Sequence, residues 1–168
     1  RCYRVPVICR YEPELLGTGG AIANFADVLA GHPFLVINSD VLTDIPISEV
    51  LAHHHQTRPA ATLVMQDHQK FNKVAIDTHD NIVRFDAAEK PASGCRLRAF
   101  TGLQVLDPVI FGHIPPGPHV SSIDVFAAMI EHGCRIQALE VRGHYWNDLG
   151  TPASYRQLPL AVLMTSRG

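Results

Sequence analysis

Two aspartates stand just after strand-like stretches of the sequence, where a carboxylate is well placed to bind a ligand. Asp40 closely follows the apolar run Phe34–Ile37, and Asp148 follows another strand-like run. In an open α/β sheet both side chains would lie at the carboxyl edge, where ligands bind. Two such carboxylates can share one Mg²⁺, which usually takes one or two protein carboxylates besides water and substrate phosphates. The alternative for Asp148 is a cap on the helix that Thr151 and Pro152 can begin.

A glycine-rich stretch lies between the first strand-like run and the first helical segment. It contains Gly17, Thr18 and Gly19, and at such a place backbone can approach a ligand and helix amides favour anions. The stretch is not a dinucleotide fingerprint, because Ile22 stands where the third glycine is needed, and no Gly-Lys-Ser/Thr follows as in a P-loop. A ligand loop and a tight turn with a helix cap both remain open.

A carboxylate and an ammonium stand side by side at Glu89 and Lys90, just before Pro91. A buried pair of this kind could hold sugar hydroxyls and a phosphate, whereas an exposed pair on a loop would do neither.

Three consecutive histidines at positions 53–55 look like a metal cluster. Successive helical residues point about 100° apart, so these three cannot converge on one ion. We therefore expect a solvated helix end. The other histidines show no zinc-site spacing, and no nucleophile elbow of a hydrolase is present.

The elements that must position these residues follow an α/β pattern, in which apolar runs bounded by turn residues alternate with segments of helical period. Helices are predicted at residues 18–29, 47–55, 123–132 and 151–163, and strands at residues 4–9, 34–37, 61–65, 100–106 and 136–141. The continuous apolar run at 34–37 is typical of a strand buried on both faces of a parallel sheet. Residues 74–77 and 81–85 flank a short turn and predict an antiparallel hairpin.

The composition describes one folded domain, spanning residues 1–168, with 46% hydrophobic and 18% charged residues. A net charge of -2 supplies no overall positive field, so we expect neither nucleic acid nor membrane as a partner. No apolar run approaches the roughly 18 residues of a membrane span. Four scattered cysteines without C-x-x-C spacing predict reduced thiols and a cytoplasmic location.

Taken together and in order, five motifs resemble those of the sugar-1-phosphate nucleotidyltransferases, also called nucleotide-sugar pyrophosphorylases. They are Leu16-Gly17-Thr18-Gly19-Gly20-Ala21, Val36-Ile37-Asn38-Ser39-Asp40, Glu89-Lys90-Pro91, Phe100-Thr101-Gly102-Leu103 and Tyr145-Trp146-Asn147-Asp148-Leu149-Gly150-Thr151-Pro152. The match is nearest to the bacterial mannose- or heptose-1-phosphate guanylyltransferases. It implies a three-layer αβα, Rossmann-like fold with a mostly parallel sheet. The implied reaction is attack of a sugar 1-phosphate on the α-phosphorus of a nucleoside triphosphate, GTP being favoured, with Mg²⁺ as cofactor and pyrophosphate released.

The resemblance also implies roles for individual residues. Asp40 and Asp148 match the family's catalytic, metal-binding aspartates. The positions that pack against the nucleotide base, or contact it, are Glu12, Gly17, Thr18 and Gly19. The positions that match the sugar and sugar-phosphate contacts are Glu89, Lys90, Thr101 and Gly102. Ser39, Asn72 and Phe100 depart from the glycine, glycine and asparagine usual in the family.

The family's N-terminal G-x-G-T-R loop, its principal grip on the triphosphate, has no counterpart in these residues. The resemblance therefore implies that the first βαβ portion is missing and that the chain is a piece of something longer. We expect apolar faces of Val36 and Ile37 to be exposed unless a complementing N-terminal segment or a homo-oligomer covers them. We also expect these residues alone to have little transferase activity.

Three other functions are weighed against the guanylyltransferase. One is a uridylyl- or thymidylyltransferase of the same family, and another is a non-catalytic regulatory subunit that binds sugar nucleotides. A nucleotide-sugar glycosyltransferase would need a D-x-D motif after its buried strand, but Asp40 is followed by Val41 and Leu42.

Overall fold

A six-stranded sheet forms the centre of the molecule, with a separate two-stranded ribbon beside it. The computed structural model describes residues 5–87 and 94–156. The strands are β1 (Phe34–Ile37), β2 (Val41–Thr43), β3 (Ala61–Gln66), β4 (Val74–Ile76), β5 (Ile82–Arg84), β6 (Arg96–Leu106), β7 (Ile136–Glu140) and β8 (Trp146–Asp148). The helices are α1 (Gly17–Asn24), α2 (Ala26–Leu29), α3 (Ile47–Thr57), α4 (Ser122–Glu131) and α5 (Pro152–Arg156), and a short 3-10 helix covers Pro108–Gly112.

The long strand β6 organises the sheet. One of its sides pairs with β3, which in turn pairs with β7, and its other side pairs with β4 and then with β1. Strands β1, β3 and β7 each follow a helix and run in one direction, as the α/β pattern predicts. Strand β6 runs in the opposite direction, between β1 and β3, and pairs antiparallel with both of them. The hydrogen-bonded ladders are therefore more mixed than the sequence predicts, and among the described strands only the β3–β7 ladder is parallel.

The hairpin predicted from the sequence is confirmed. Strands β4 and β5 pair antiparallel, and the turn between them places Asp80 in the left-handed region with φ 62°. Asp77 Oδ1 accepts hydrogen bonds from the backbone N–H groups of His79 and Asn81, both at 2.8 Å. Short polar side chains stabilise turns in this way.

The helix predicted at residues 18–29 is broken at Phe25 into α1 and α2. Arg10 places its guanidinium 4.8 Å from the centre of the Phe25 ring and donates a hydrogen bond to the carbonyl of Asn24. In a continuous helix that carbonyl would accept from Val28, whose N–H instead bonds to the Phe25 carbonyl at 2.9 Å. A side chain from outside the helix thus competes for its hydrogen bonding.

Each face of the sheet carries its own apolar cluster. On the face covered by α1 and α4, Leu63 and Leu106 pack with Phe126 of α4, and on the face covered by α3, Leu103 and Val105 pack with Val50. His54 of α3 is buried and its Nδ1 lies 2.9 Å from Thr62 Oγ1. The prediction that these histidines are solvated is therefore wrong for His54. Burial lowers the pKa of this imidazole.

Strand β1 lies at an edge of the sheet, because no described strand pairs with its outer side. Ile37 is 41% exposed, so the prediction that this strand is buried on both faces is wrong, whereas the expected exposure of apolar surface at Ile37 is confirmed. Residues 5–9 form no strand, and Val5, Val7 and Ile8 are exposed. Of the predicted C-terminal helix, Pro152–Arg156 is helical, and positions 157–163 lie outside the described residues.

Within the described segments, no helix combines the length and apolar character needed to cross a membrane.

Glu140, at the end of β7, is the centre of an ion-pair cluster. Its side chain is only 12% exposed and lies 2.9 Å from Arg96 Nε, 3.0 Å from Arg98 Nε and 3.2 Å from an Arg142 nitrogen. Burial acts to raise the pKa of this carboxyl, but the bonds from Arg96 and Arg98 outweigh burial and hold the pKa below the ordinary value of 4.5. The negative charge therefore stabilises the fold.

Glu140→Gln should lower the free energy of unfolding near pH 7 by about 1–3 kcal/mol, because hydrogen bonds between charged groups are lost. A carboxyl with a lowered pKa stabilises the fold above its unfolded-state pKa, and this contribution disappears as the pH falls through the folded-state value. The difference between variant and wild type should therefore shrink from pH 7 to pH 3 in denaturant unfolding. Glu131→Gln is the matched control, since Glu131 is exposed. A pH-independent difference would contradict the argument.

Candidate functional site

Asp40 and Asp148 lie on either side of Gly150. A carboxylate oxygen of each lies 2.9 Å from the point where a Cβ would stand on Gly150, so the two oxygens lie within twice that distance of one another. The two-stranded ribbon brings them together: β2 pairs with β8 so that Val41 stands opposite Asp148, and Leu149 N–H donates to the Asp40 carbonyl at 2.8 Å. The predicted approach of the two aspartates is thus present in the structure.

The local hydrogen bonds show that Asp148 does not cap helix α5. Its Oδ1 accepts from Gly150 N–H at 2.7 Å, whereas the first turn of α5 is capped by Thr151 Oγ1, which accepts from Ser154 N–H at 3.1 Å. Among the described residues neither Asp40 nor Asp148 is joined to a cation by an ion pair. Two exposed carboxylates held this close without a positive partner suit a divalent cation with oxygen ligands.

Thr101 fixes the ribbon to the central sheet. Its side chain is buried, with the residue 1% exposed, and its hydroxyl donates to the Val64 carbonyl at 2.9 Å. Its carbonyl accepts from Trp146 Nε1 at 2.8 Å, two residues before Asp148. The Thr101 hydroxyl is therefore engaged inside the sheet, and its carbonyl holds the ribbon that carries Asp148; the sugar contact implied by the resemblance stays a prediction.

Gly102 allows the loop after β1 to lie close to β6. Its φ is +79°, and a Cβ there would stand 2.9 Å from Asn38 Nδ2 and 3.0 Å from Val41 Cγ2. Asn38 N–H also donates to the Gly102 carbonyl at 3.1 Å. A larger residue at position 102 would displace the loop that carries Asp40.

A cleft of about 730 Å³ opens between α1 and β1 and reaches Asp40. Its lining includes Glu12, Gly17 and Thr18, three of the four positions predicted to contact the nucleotide base. Its other walls are largely apolar and include Leu35, Val36, Ile37 and Phe25. The structure therefore brings three of the predicted base-contacting positions together with Asp40.

The glycines of this loop also serve packing. Gly17 has φ +71°, and a Cβ there would stand 2.6 Å from the Val120 carbonyl oxygen. Gly19 is buried and its N–H donates to the same carbonyl at 2.9 Å. Glu12 Oε2 accepts from Leu16 N–H at 3.3 Å, just before α1. Gly17 and Thr18 thus face the cleft, whereas Gly19 holds α1 against the segment before α4.

A second, smaller cavity of about 210 Å³ lies on the Asp148 side of the pair. Its walls include Phe71, Lys73, Phe100 and Trp146, and the Phe71 and Trp146 rings meet edge to face with centroids 5.8 Å apart. The Lys73 carbonyl accepts from Ala87 N–H at 2.8 Å, so the cavity adjoins the point where the chain enters positions 88–93. Glu89 and Lys90 lie outside the described residues.

Sequence reasoning missed several side chains that line the two cavities. Asn38 had a signal, since it belongs to the same short motif as Asp40. His119 lines the larger cleft, while Phe71 and Lys73 line the smaller one. Local sequence carries no signal for these three, because only the tertiary fold brings them to the site.

Gly150→Ala should weaken cation binding without unfolding the chain. The new Cβ would displace both carboxylate oxygens, and these are ends of flexible side chains that can move at small cost in stability. The displaced carboxylates would no longer hold an ion in its preferred coordination geometry. We therefore expect Mn²⁺, used as the probe for a divalent cation, to bind about 10-fold or more weakly, with little change in the free energy of unfolding. Gly112→Ala is the control, since nothing lies within 4 Å of its Cβ. Equal Mn²⁺ affinity in both variants would contradict a shared ion.

Comparison with solved structures supports the fold. The chain superposes with a TM-score of 0.67 and 22% identity on HddC from Yersinia pseudotuberculosis complexed with GMP-PN, covering 87% of this chain and 62% of that one. It superposes with a TM-score of 0.72 and 18% identity on a putative glucose-1-phosphate thymidylyltransferase from Bacillus anthracis, covering 94% and 64%. These likenesses confirm the Rossmann-like α/β class.

Comparison with known sequences finds mannose-1-phosphate guanylyltransferases among the relatives of this chain. A mannose-1-phosphate guanyltransferase of Schizosaccharomyces pombe is 31% identical over 91% of this chain and 43% of its own length. A mannose-1-phosphate guanylyltransferase of Mycobacterium tuberculosis is 33% identical over 86% and 41%, so the chain spans less than half the length of these relatives. The profile of the nucleotidyl transferase family matches residues 1–164. This chain therefore belongs to the nucleotidyl transferase family.

Proposed function

We propose that this chain forms the substrate-binding core of an enzyme that transfers a nucleotidyl group from a nucleoside triphosphate, with GTP favoured, to a sugar 1-phosphate. The observation that carries the proposal is the placement of Asp40 and Asp148 on either side of Gly150, at the larger and the smaller cavity respectively. Nucleotidyl transfer needs the attacking sugar phosphate to be held next to the α-phosphorus of the bound nucleoside triphosphate, with the negative charge of both substrates neutralised. Two cavities that meet at a carboxylate pair suit that requirement.

Mg²⁺ is the cofactor that we propose for this pair. Asp40 and Asp148 would hold the ion, which when bound supplies positive charge to the phosphates and orients them. The chain itself positions the two carboxylates. The β2–β8 ribbon fixes the two carboxylates relative to each other, and the hydrogen bond from Trp146 to Thr101 fixes that ribbon to the sheet.

The larger cleft is the proposed nucleotide site. The backbone at Gly17 and Thr18 would pack against the base, and Glu12 offers a carboxylate beside it. GTP is favoured because the relatives similar in sequence are named as mannose-1-phosphate guanylyltransferases. A uridylyl- or thymidylyltransferase is the second candidate, favoured by the structural likeness to a putative glucose-1-phosphate thymidylyltransferase.

The smaller cavity is the proposed sugar 1-phosphate site. Phe71 and Trp146 supply aromatic surface for the apolar face of a sugar, and Asp148 also lines this cavity. Glu89 and Lys90 follow on the chain just beyond Ala87, whose N–H is bonded to Lys73 at this cavity. Lys90 is the proposed partner of the sugar phosphate.

We propose this activity for the whole enzyme, because the chain spans less than half the length of the relatives similar in sequence. The triphosphate grip expected for the family is absent from these 168 residues, so we propose that a complementing segment or an oligomer supplies it. We also propose a cytoplasmic location, because the cysteines are scattered along the sequence and thiols stay reduced in the cytoplasm. Cys9, Cys95 and Cys134 are free thiols.

The central test measures pyrophosphate release by the full-length protein with GTP, ATP, UTP, dTTP and CTP, each with mannose 1-phosphate or glucose 1-phosphate. Asp40→Asn and Asp148→Asn should each lower turnover about 10²-fold or more, because a preorganised charge at the transferring phosphoryl group is lost. Asp124→Asn, on the exposed side of α4, is the control. Wild-type activity in both site variants would refute the assignment, and product binding without turnover by the wild type would favour a regulatory subunit.

Lys90→Ala should raise KM for the sugar 1-phosphate at least about 10-fold and leave KM for the nucleotide nearly unchanged, because the ammonium is assigned to the sugar's phosphate. Steady-state kinetics with each substrate varied in turn gives both constants from one variant. A parallel rise in both constants would show that Lys90 has no selective contact with the sugar phosphate.

A further inference from the structure

His119 is an exposed histidine that lines the larger cleft beside the glycine-rich loop. Its Cε1 lies 3.2 Å from the point where a Cβ would stand on Gly17, and Gly17 lines the same cleft. The imidazole therefore stands against the backbone that we propose as the packing surface for the nucleotide base. It is accessible to a ligand, because no other part of the described chain buries it.

Three hydrogen bonds hold the segment that carries His119 against this loop. Val120 N–H donates to the Leu16 carbonyl at 2.8 Å, and the Val120 carbonyl accepts from Gly19 N–H at 2.9 Å. The third bond joins the ring itself to the loop, with Nδ1 3.3 Å from the Leu15 carbonyl oxygen. The imidazole is therefore positioned by the same loop that lines the cleft.

The bond to Leu15 determines which hydrogen-bonding group the ring offers to a ligand. A carbonyl oxygen can only accept, so Nδ1 must donate its N–H to it. In a neutral imidazole the other nitrogen then carries a lone pair and acts as an acceptor. Within residues 5–87 and 94–156, Nε2 has no hydrogen-bond partner of its own. The ring thus presents an unused acceptor at the cleft.

Glu12 supplies a second acceptor to the same cleft. Its Oε2 accepts from Leu16 N–H at 3.3 Å, which leaves Oε1 without a hydrogen-bond partner in the part of the chain that the structure describes. The two residues that hold Glu12 and His119 are Leu16 and Leu15, which are adjacent at the start of α1. A base bound beside them meets two acceptors, so the base itself should present donors.

Guanine is the base that fits two acceptors, because its N1–H and the amino group at C2 are adjacent donors. The other four bases have a single donor group on the corresponding edge, and the amino group at C2 belongs to guanine alone. We propose that Nε2 of His119 accepts a hydrogen bond from this amino group and so helps to select GTP, with Oε1 of Glu12 as the acceptor for N1–H. The inference rests on the proposed nucleotide site.

The test combines variants of His119 with an altered base. Inosine triphosphate (ITP) differs from GTP only by lacking the amino group at C2. The amide of His119→Asn takes the place of Nδ1 and can still donate to Leu15, whereas the amide of His119→Gln places an acceptor near Nε2. His32→Asn is the matched control, since His32 is exposed and does not line the cleft. Affinities are measured by calorimetry on the full-length protein with Mg²⁺ at pH 8, where an imidazole is ordinarily neutral.

We expect the wild type to bind GTP about 10-fold more tightly than ITP, because one hydrogen bond to the base is lost with the amino group. In His119→Asn this preference should fall to about 2-fold or less, through weaker binding of GTP and not of ITP, since each change removes the same bond. His119→Gln should keep most of the preference, and His32→Asn should keep all of it.

Three outcomes overturn the inference. Equal affinity of the wild type for GTP and ITP shows that the amino group is not recognised, and an undiminished preference in His119→Asn shows that Nε2 does not recognise it. Loss of the preference in His119→Gln as well as in His119→Asn shows that the ring acts only by holding the loop. A wild type that binds neither GTP, ITP nor any of the other four nucleotides overturns the proposed function itself, which is a separate result.

Discussion

The pairing of β2 with β8 is the constraint on which the candidate site depends. Asp40 and Asp148 are far apart in sequence, and the ribbon sets their separation. Thr43 Oγ1 donates to the Tyr145 carbonyl at 2.8 Å, and Tyr145 N–H donates to Asp44 Oδ1 at 2.8 Å, so side chains extend the ribbon beyond its backbone ladder. The bond from Trp146 to Thr101 then ties the ribbon to the sheet. The position of the carboxylates is therefore determined by an anchored ribbon and not by a free loop.

Glycine is needed at two contacts around this ribbon for different reasons. At Gly102 a left-handed backbone and the approach of Asn38 exclude a side chain, so the restriction comes from the packing of the loop. At Gly150 the space is limited by the carboxylates of Asp40 and Asp148, which are functional groups rather than scaffold. Substitution at Gly102 should therefore disturb the fold of the loop, whereas substitution at Gly150 acts mainly on the two charges.

The elements that depend on local pattern could be predicted from the sequence, and those that depend on distant partners could not. Hydrophobic period identified β1, β3, α4 and β7, and it placed Asp40 after its strand. The break at Phe25 depends on Arg10, and the reversed direction of β6 depends on which strands it meets. The spacing of apolar residues in a short segment reveals neither the contact with Arg10 nor the strands that pair with β6. The approach of Asp40 to Asp148 was predicted because each follows a strand-like run, whereas the structure brings them together through the β2–β8 ribbon, which local pattern did not predict.

Three features that cost stability lie at or near the larger cleft. Asp40 lies close to a second negative charge, Gln104 has no partner among the described residues, and Ile37 is exposed on an unpaired edge. Away from the cleft, Leu63 of β3 and Phe126 of α4 pack in the apolar cluster of the sheet face that α1 covers. Local conflicts of this kind are expected where a ligand or further chain compensates them. Because a ligand that binds only the folded state stabilises it, a cation and a nucleotide in this cleft should each act on stability as well as on chemistry.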